Sequence, residues 1–279
     1  YLTGGTSGSA LADTRYGPVG IYACMDGVTF ETPRTFAVRG ARLLLNSLNS
    51  FALDEAALHI PVRAVENGVF VVAANKVGPL LPAEQVEAFS QALGIPPHVL
   101  QGAGESQIVA PDGEVLASAS RTEEELIVAD IDLAEVRPLN DRFGHRRPEI
   151  YGPLAKPHSA VPRHDVPESV EVGCVRHQTC EAAEAQLVVL PEGTALPVSI
   201  PDGVWVATSA VIDQRHVGQL WTADGLLHEQ AQLHHSERFD ATEFGDELTL
   251  CETPFGDIAL IIGDDHLYPE VVRLAAVQG

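Results

Sequence analysis

The stretch "GIYACMDGVTFETPRTFAVRG" (residues 20–40) changes character in its middle. Up to Ala23 it is an apolar run of the kind that forms a buried strand, and "TPRTFAVRGA" then reads as a helix opened by Thr32 with Pro33 in its first turn. Cys24, Met25, Asp26 and Gly27 fill the gap, so a cysteine stands on a sharp strand-to-helix turn. Cys24 is therefore either an exposed nucleophile or a buried small residue, the commoner fate of a cysteine. On the first reading the following helix N-terminus favours the thiolate, and the N–H of Met25 points at a developing oxyanion.

The same pattern is written twice. Residues 13–40, "DTRYGPVGIYACMDGVTFETPRTFAVRG", align without a gap on residues 252–279, "ETPFGDIALIIGDDHLYPEVVRLAAVQG", at a constant offset of 239. Thr14 falls on Thr253, Gly17 on Gly256, Asp26 on Asp265, Glu31 on Glu270, Arg34 on Arg273 and Gly40 on Gly279, whereas Cys24 falls on Gly263. A repeat out of phase with the chain puts the back half of one unit first and the front half of a second unit after it. The chain starts at Tyr1, and its one methionine, Met25, lies inside the motif, so it reads as a piece of a longer gene product.

Strands and helices alternate around this frame. "GPVGIYAC" and "ARLLLNS" are strands, "DEAALHIPVRAVEN" is a helix closed by Gly68, and "VFVVAAN" is a further strand. "SQIVAPDGEVLASA" is a hairpin turning at Asp112 and Gly113, and "EELIVADID" is expected to add a strand. Proline and histidine crowd "GPLAKPHSAVPRHDVPES", which reads as a linker. The pattern restarts with the strand "VEVGCV", the short helix "CEAAEA", the strands "QLVVLPE" and "GVWVATSAVID", and a hairpin around Asp224 and Gly225. Such alternation is the signature of an α/β fold. The expected domains are 1–151, the half-unit with the cysteine turn; 152–169, the linker; and 170–279, the start of the second unit.

A hydrophobic content of 45% with 20% charged residues in 279 positions excludes a disordered chain. The longest apolar runs, "IALII" and "VFVVAA", fall far short of a membrane span, so no membrane partner and a cytoplasmic location are expected. A formal net charge of -22 repels phosphate and argues against a nucleic-acid partner. Cys24, Cys174, Cys180 and Cys251 show no zinc-ribbon or CxxC spacing, and "GDDH" with the nearby histidines matches no zinc signature, so neither a metal nor a disulfide framework is expected.

Five segments in order resemble the nitrilase-like carbon-nitrogen hydrolases: "ACMDGVTFETPR", "VRAVENGVFVVAAN", "GESQIVAPDGEVLA", "HRRPEIY" and, in the second unit, "LVVLPE". The resemblance implies an α-β-β-α four-layer sandwich, often dimeric, that uses a glutamate, a lysine and a cysteine on non-peptide C–N bonds and needs no cofactor. The cysteine attacks an amide, carbamoyl or nitrile carbon and forms a thioester or thioimidate that water resolves, with the glutamate as base and the lysine stabilising the oxyanion. It makes Cys24 the nucleophile, the Met25 N–H an oxyanion donor, and Glu192 the second unit's equivalent of the base. Glu31 with Arg34 and Arg63 with Glu66, each three apart, are expected to support the turn structurally. Asn75, ending an apolar strand, is either a pocket residue or a turn former.

Where the resemblance places a lysine, near "EQAQLHHSERF", the second unit offers Leu233, His234 or His235, and the only lysines of the chain are Lys76 and Lys156. With Gly263 in the cysteine's place, the second unit reads as a degenerate copy. The first unit's glutamate and lysine are expected upstream of Tyr1, so the isolated chain should lack activity that the intact protein has. A small amide-type substrate is the expected partner, selected by the long segment 76–105, and both a homodimer and intramolecular pairing of the two half-units remain open. A non-catalytic binding module is the alternative reading; a flavodoxin-like amidotransferase is disfavoured because "YACMD" lacks the glycines of its GxCxG turn.

Overall fold

Thr14 starts the fold. Its hydroxyl accepts the N–H of Tyr16 and donates to the carbonyl of Gly17 (3.1 and 2.9 Å), while Gly17 takes φ +96°, so strands β1 (Ala12–Thr14) and β2 (Gly17–Ala23) close into a hairpin. The computed structural model describes residues 10–134, 136, 141–156, 167–174, 185–194, 196, 199–238 and 241–279, and the chain divides into two compact units, Tyr1–Gly144 and His145–Gly279. From β2 the chain crosses through α1 (Glu31–Val38) to β3 (Leu43–Leu48) and through α2 (Ile60–Asn67) to β4 (Phe70–Asn75). Strands β2, β3 and β4 pair in parallel, which is the reason each connection needs a helix. Gly68, at φ +62°, ends α2 in the left-handed cap expected of it.

Both helices cover one face of the sheet. Phe36 and Ala37 of α1 and Ile60 and Ala64 of α2 are buried with Leu44, Leu48, Phe70 and Val71. Burying each large side chain of this set contributes about 1.5–3 kcal/mol. The packing leaves no room at Gly20, where a Cβ would lie 2.7 Å from Phe36 and Leu44. Strands β5 (Val77–Pro79) and β6 (Gln101–Ala103) pair at the base of the long 76–105 segment, which carries α3 (Ala83–Leu93). Strands β7 (Gln107–Val109) and β8 (Val115–Ser118) complete a six-stranded sheet of order β1-β2-β3-β4-β7-β8, and Gly113, at φ +92°, makes the turn between them.

Two expectations are corrected in this unit. Residues 124–132 form no strand: Leu126 and Val128 are 89% and 77% exposed, and Ile131 packs on the core without any strand pairing. The helix after the cysteine turn opens at Glu31, capped by Phe30, rather than at Thr32. A four-residue helix, α4 (Asp141–Gly144), ends the unit.

The second unit begins with "HRRPEIY", a segment the sequence placed at the close of the first. Two 3-10 turns, Pro148–Ile150 and Gly152–Ala155, bring Ile150, Tyr151 and Leu154 onto a cluster with Leu233, Leu248, Tyr268, Val271 and Leu274. Residues 157–166 of the expected linker and 180–184 of the expected helix "CEAAEA" lie outside the described residues. Strands β9 (Val172–Cys174), β10 (Leu187–Val189), β11 (Trp205–Ile212), β12 (Arg215–Thr222) and β13 (Gly225–Ala231) form a five-stranded sheet of order β13-β12-β11-β10-β9, parallel from β9 to β11 and antiparallel beyond. A hairpin, β14 (Leu250–Thr253) and β15 (Gly256–Ala259), leads to a 3-10 turn at Gly263–Leu267 and to α5 (Pro269–Gln278). Beyond β15, Leu260 and Ile262 bury against Leu220 of the five-stranded sheet, and a Cβ on Gly218 would overlap Ile262 at 2.0 Å. Among the described residues no helix is long and apolar enough to cross a membrane.

Candidate active site

Cys24 leaves β2 at φ +47°, a left-handed conformation that side chains other than glycine's rarely adopt, and opens the 3-10 turn Cys24–Gly27. Gly27 permits the turn's close approach to its own strand, since a Cβ there would lie 2.8 Å from both Asn46 and Tyr22. The turn presents its first residues outward: Met25 is 67% exposed, Asp26 is exposed and Cys24 is half-buried. The N–H groups at the start of such a turn, that of Met25 among them, have no acceptor within the turn itself. Helix α1 starts seven residues after Cys24, so the group adjoining the sulfur is this short turn and not, as expected, the N-terminus of the helix.

Arg63 holds the turn from behind. Its Nε donates to the carbonyl of Gly27 (3.0 Å), Nη2 donates to that of Val28 (3.3 Å), and Nη1 pairs with Glu66. Arg34 donates from Nη1 to the Glu66 carbonyl at 2.9 Å and lies over the ring of Phe143. Glu31 sits exposed on the first turn of α1, where its carbonyl accepts the Thr35 hydroxyl. At the end of β4, Asn75 accepts the N–H groups of Ser50 and Lys76 and donates to the carbonyls of Ser50 and Gly104. Its side-chain amide is thereby fully engaged in tying three loops together. A cavity of about 910 Å³ in this unit, lined by Glu66, Phe70, Asp112, Glu114 and Asp132 among others, does not include Cys24.

The turn at Gly263 starts as the turn at Cys24 does and runs one residue longer. Gly263 has φ +48°, the hairpin before it repeats the Thr14 contacts in Thr253 with Phe255 and Gly256 (3.1 and 2.6 Å), and Gly256 takes φ +108°. Its surroundings differ. A Cβ on Gly263 would lie 2.7 Å from Gln232 Oε1 and 3.0 Å from the His216 ring, so these side chains crowd the place a side chain at 263 would take. Gln232 donates to the His234 carbonyl (2.8 Å), which turns its Oε1 toward His216 Nδ1 (2.7 Å). Glu192, just beyond β10, lies 3.0 Å from His216 Nε2, with Arg238 between it and Asp264 (3.8 and 3.3 Å). A cleft of about 470 Å³ runs from Glu192 to Gly263 between Leu187, Thr208, Leu220 and Arg238.

Asp265 joins this turn to the segment after β13. It is 2% exposed; Oδ2 accepts the N–H of Leu233 (2.7 Å), and Oδ1 accepts the N–H and ring Nδ1–H of His234 (2.9 and 2.8 Å). With its ring proton on Nδ1, His234 accepts at Nε2 from Tyr151, 2.6 Å away, and stacks on Tyr268 at 3.7 Å. Burial holds the Tyr151 hydroxyl far above the ordinary tyrosine range, in keeping with its role as donor. Of Leu233, His234 and His235, none occupies the place over the turn; Gln232 does, and its position one residue earlier was not read from the sequence. No three His, Cys, Asp or Glu side chains among the described residues are grouped to hold a metal ion.

The carbon-nitrogen hydrolase family model matches residues 1–141 of the 279. A nitrilase of Pyrococcus abyssi is 36% identical over 156 residues, 54% of this chain and 53% of its own. An N-carbamoylputrescine amidase of Solanum tuberosum is 28% identical over 163 residues, 54% of this chain and 51% of its own. The chain thus spans about half the length of the curated relatives it matches. Among solved structures, Saccharomyces cerevisiae Nit3, a member of branch 10 of the nitrilase superfamily, is 25% identical over 44% of this chain and 40% of its own, with a TM-score of 0.36. By the match over its first 141 residues, the chain belongs to the carbon-nitrogen hydrolase family.

Proposed function

We propose that Cys24 is the nucleophile of a hydrolase acting on a small amide or N-carbamoyl compound, with the Met25 N–H as an oxyanion donor. The observation that carries this reading is the strained φ of +47° at Cys24 on an outward-facing turn fixed by Arg63, in a chain of this family. Backbone strain of about 1–3 kcal/mol persists at a residue only where the surrounding structure over-determines it, and such sites cluster where chemistry is done. In the reaction, the thiolate adds to the carbonyl carbon, the C–N bond breaks as the leaving nitrogen takes a proton, and water hydrolyses the thioester to free the acid and the thiol. A glutamate and a lysine supplied by a front half-unit outside these 279 residues serve as base and oxyanion partner. That half-unit would cover the open side of the turn and complete a four-layer sandwich. The relatives' names include nitrilases as well as amidases of carbamoyl compounds, and the breadth of the family favours an amide or carbamoyl bond. In this reading the long 76–105 segment, which carries α3, selects the substrate.

The second unit is a degenerate copy in this reading. Glu192 keeps the base's place, but Gly263 lacks the sulfur, Gln232 stands where the lysine is expected, and His216 closes the space between them. That closure favours a supporting role for this unit, in dimer contact or ligand sensing, and a wholly non-catalytic chain is the reading to be tested against. Incubation of the intact protein with a reactive amide such as fluoroacetamide, followed by mass spectrometry, should give one adduct on Cys24. Cys24→Ala should abolish adduct and turnover together, a loss of about 10³-fold or more. The 279-residue chain alone should turn nothing over. Activity that survives Cys24→Ala rejects the reading.

A further inference from the structure

Asp26 and Asp265 stand at the same place on two turns of the same backbone, two residues after Cys24 and Gly263, both of which have φ near +48°. In the second unit the role of that aspartate is visible. Its two oxygens accept the consecutive N–H groups of Leu233 and His234 (2.7 and 2.9 Å), and the residue just before them, Gln232, lays its side chain over the turn. A carboxylate suits this task because it is acceptor-only, has two oxygens, and makes charge-assisted bonds about twice as strong as neutral ones. Clamping residues 233 and 234 fixes where the side chain of residue 232 can reach.

We propose that Asp26 is a positioning residue of the first active site: its carboxylate clamps the backbone of the segment that delivers the lysine to Cys24. The inference rests on the reading of Cys24 as nucleophile and adds to it a residue that touches neither substrate nor sulfur. Asp26 has no helix-capping task that would account for it, since α1 begins five residues later and is capped by the backbone of Phe30. It is exposed here beside the 67% exposed Met25, on the side of the turn that residues 232–236 cover in the second unit.

The test uses the full-length natural protein, with kcat, KM and the rate of Cys24 alkylation by iodoacetamide measured side by side. Asp26→Ala should lower kcat by about 10–100-fold, the usual result of displacing a catalytic group by an ångström, and change KM by less than about threefold. Alkylation of Cys24 should keep its rate, because the turn itself is held by Arg63 and Gly27. Asp26→Asn keeps one acceptor oxygen and a near-identical volume, so it should fold as the parent does and fall between the two. If Asp26→Ala and Asp26→Asn retain kcat within twofold while Cys24→Ala is inactive, the positioning role is wrong and the nucleophile stands. If alkylation falls in step with kcat, Asp26 serves the turn's own fold and the proposal is equally overturned. If Cys24→Ala is active, the reading beneath the proposal has failed.

Discussion

The two turns at Cys24 and Gly263 share a backbone and differ in everything that surrounds it. At Cys24 the left-handed residue carries a side chain, the flanking residues face outward, and an arginine holds the turn from the helix side. At Gly263 the same φ is free of steric cost, and His216 and Gln232 occupy the space a side chain would need. Local geometry alone therefore does not make a nucleophilic site. What distinguishes them is the side chain: a cysteine held at a strained φ at one, and at the other a glycine whose Cβ position is crowded by Gln232 and His216.

The largest expected stability effect is at the support of the first turn. Arg63→Ala strips two carbonyl contacts and leaves Glu66 without this buried partner, which should cost about 3–5 kcal/mol in urea unfolding of the first unit and leave the second unit's transition in place. Gly263→Ala should destabilise the second unit by about 1–3 kcal/mol, because the methyl meets Gln232 at 2.7 Å and adopts a disfavoured φ. Cys24→Gly should act in the opposite sense and stabilise the first unit by about 1 kcal/mol as strain is released, while removing the chemistry. Equal responses at the two positions would show that the turns are not the same structure.

The smallest effect is expected at Tyr22, which stacks on Phe36 beside the first turn and whose counterpart in the second unit is Ile261. Burial pushes its hydroxyl far above the ordinary tyrosine range, with Arg63 partly opposing. The unfolded chain ionises this group near pH 10, as tyrosine ordinarily does, and the folded chain does not, so the stability it contributes is full below that pH and declines above it. Tyr22→Phe should change stability at pH 7 by less than about 1 kcal/mol and should remove that alkaline decline in a pH series of thermal melts.

The hairpin at Thr14 with Gly17 was not read, since its first strand has only three residues; those at Asp112 with Gly113 and at Asp224 with Gly225 were legible because their turn residues carry their own instructions. The parallel crossovers were legible for the same reason, since Gly68 and the apolar runs mark every boundary. What failed to show were features decided by distant residues. Residues 124–132 alternate like a strand but pair with no neighbouring strand, and "HRRPEIY" joins the second unit because Tyr151 finds His234 and Arg147 finds the carbonyl of Leu233. Cys24 follows β2 and Glu192 lies just beyond β10, both at the ends of strands that the sequence marked; their chemical roles rest on the proposal above. Gln232 was missed because a glutamine carries no chemical signal, and only its place over Gly263 gives it meaning.

The strained φ at Cys24 also sets the direction of evolutionary drift. A change from cysteine to glycine at such a turn loses the catalyst but relaxes the backbone, so wherever selection for chemistry lapses, stability rewards the loss. Once glycine is in place, neighbours such as His216 and Gln232 settle into the vacated volume, and a single reversion then meets them at 2.7 to 3.0 Å. On the proposed reading of the second unit as a degenerate copy, the outward step is a single easy one, and the return needs the side chain and the emptied space together.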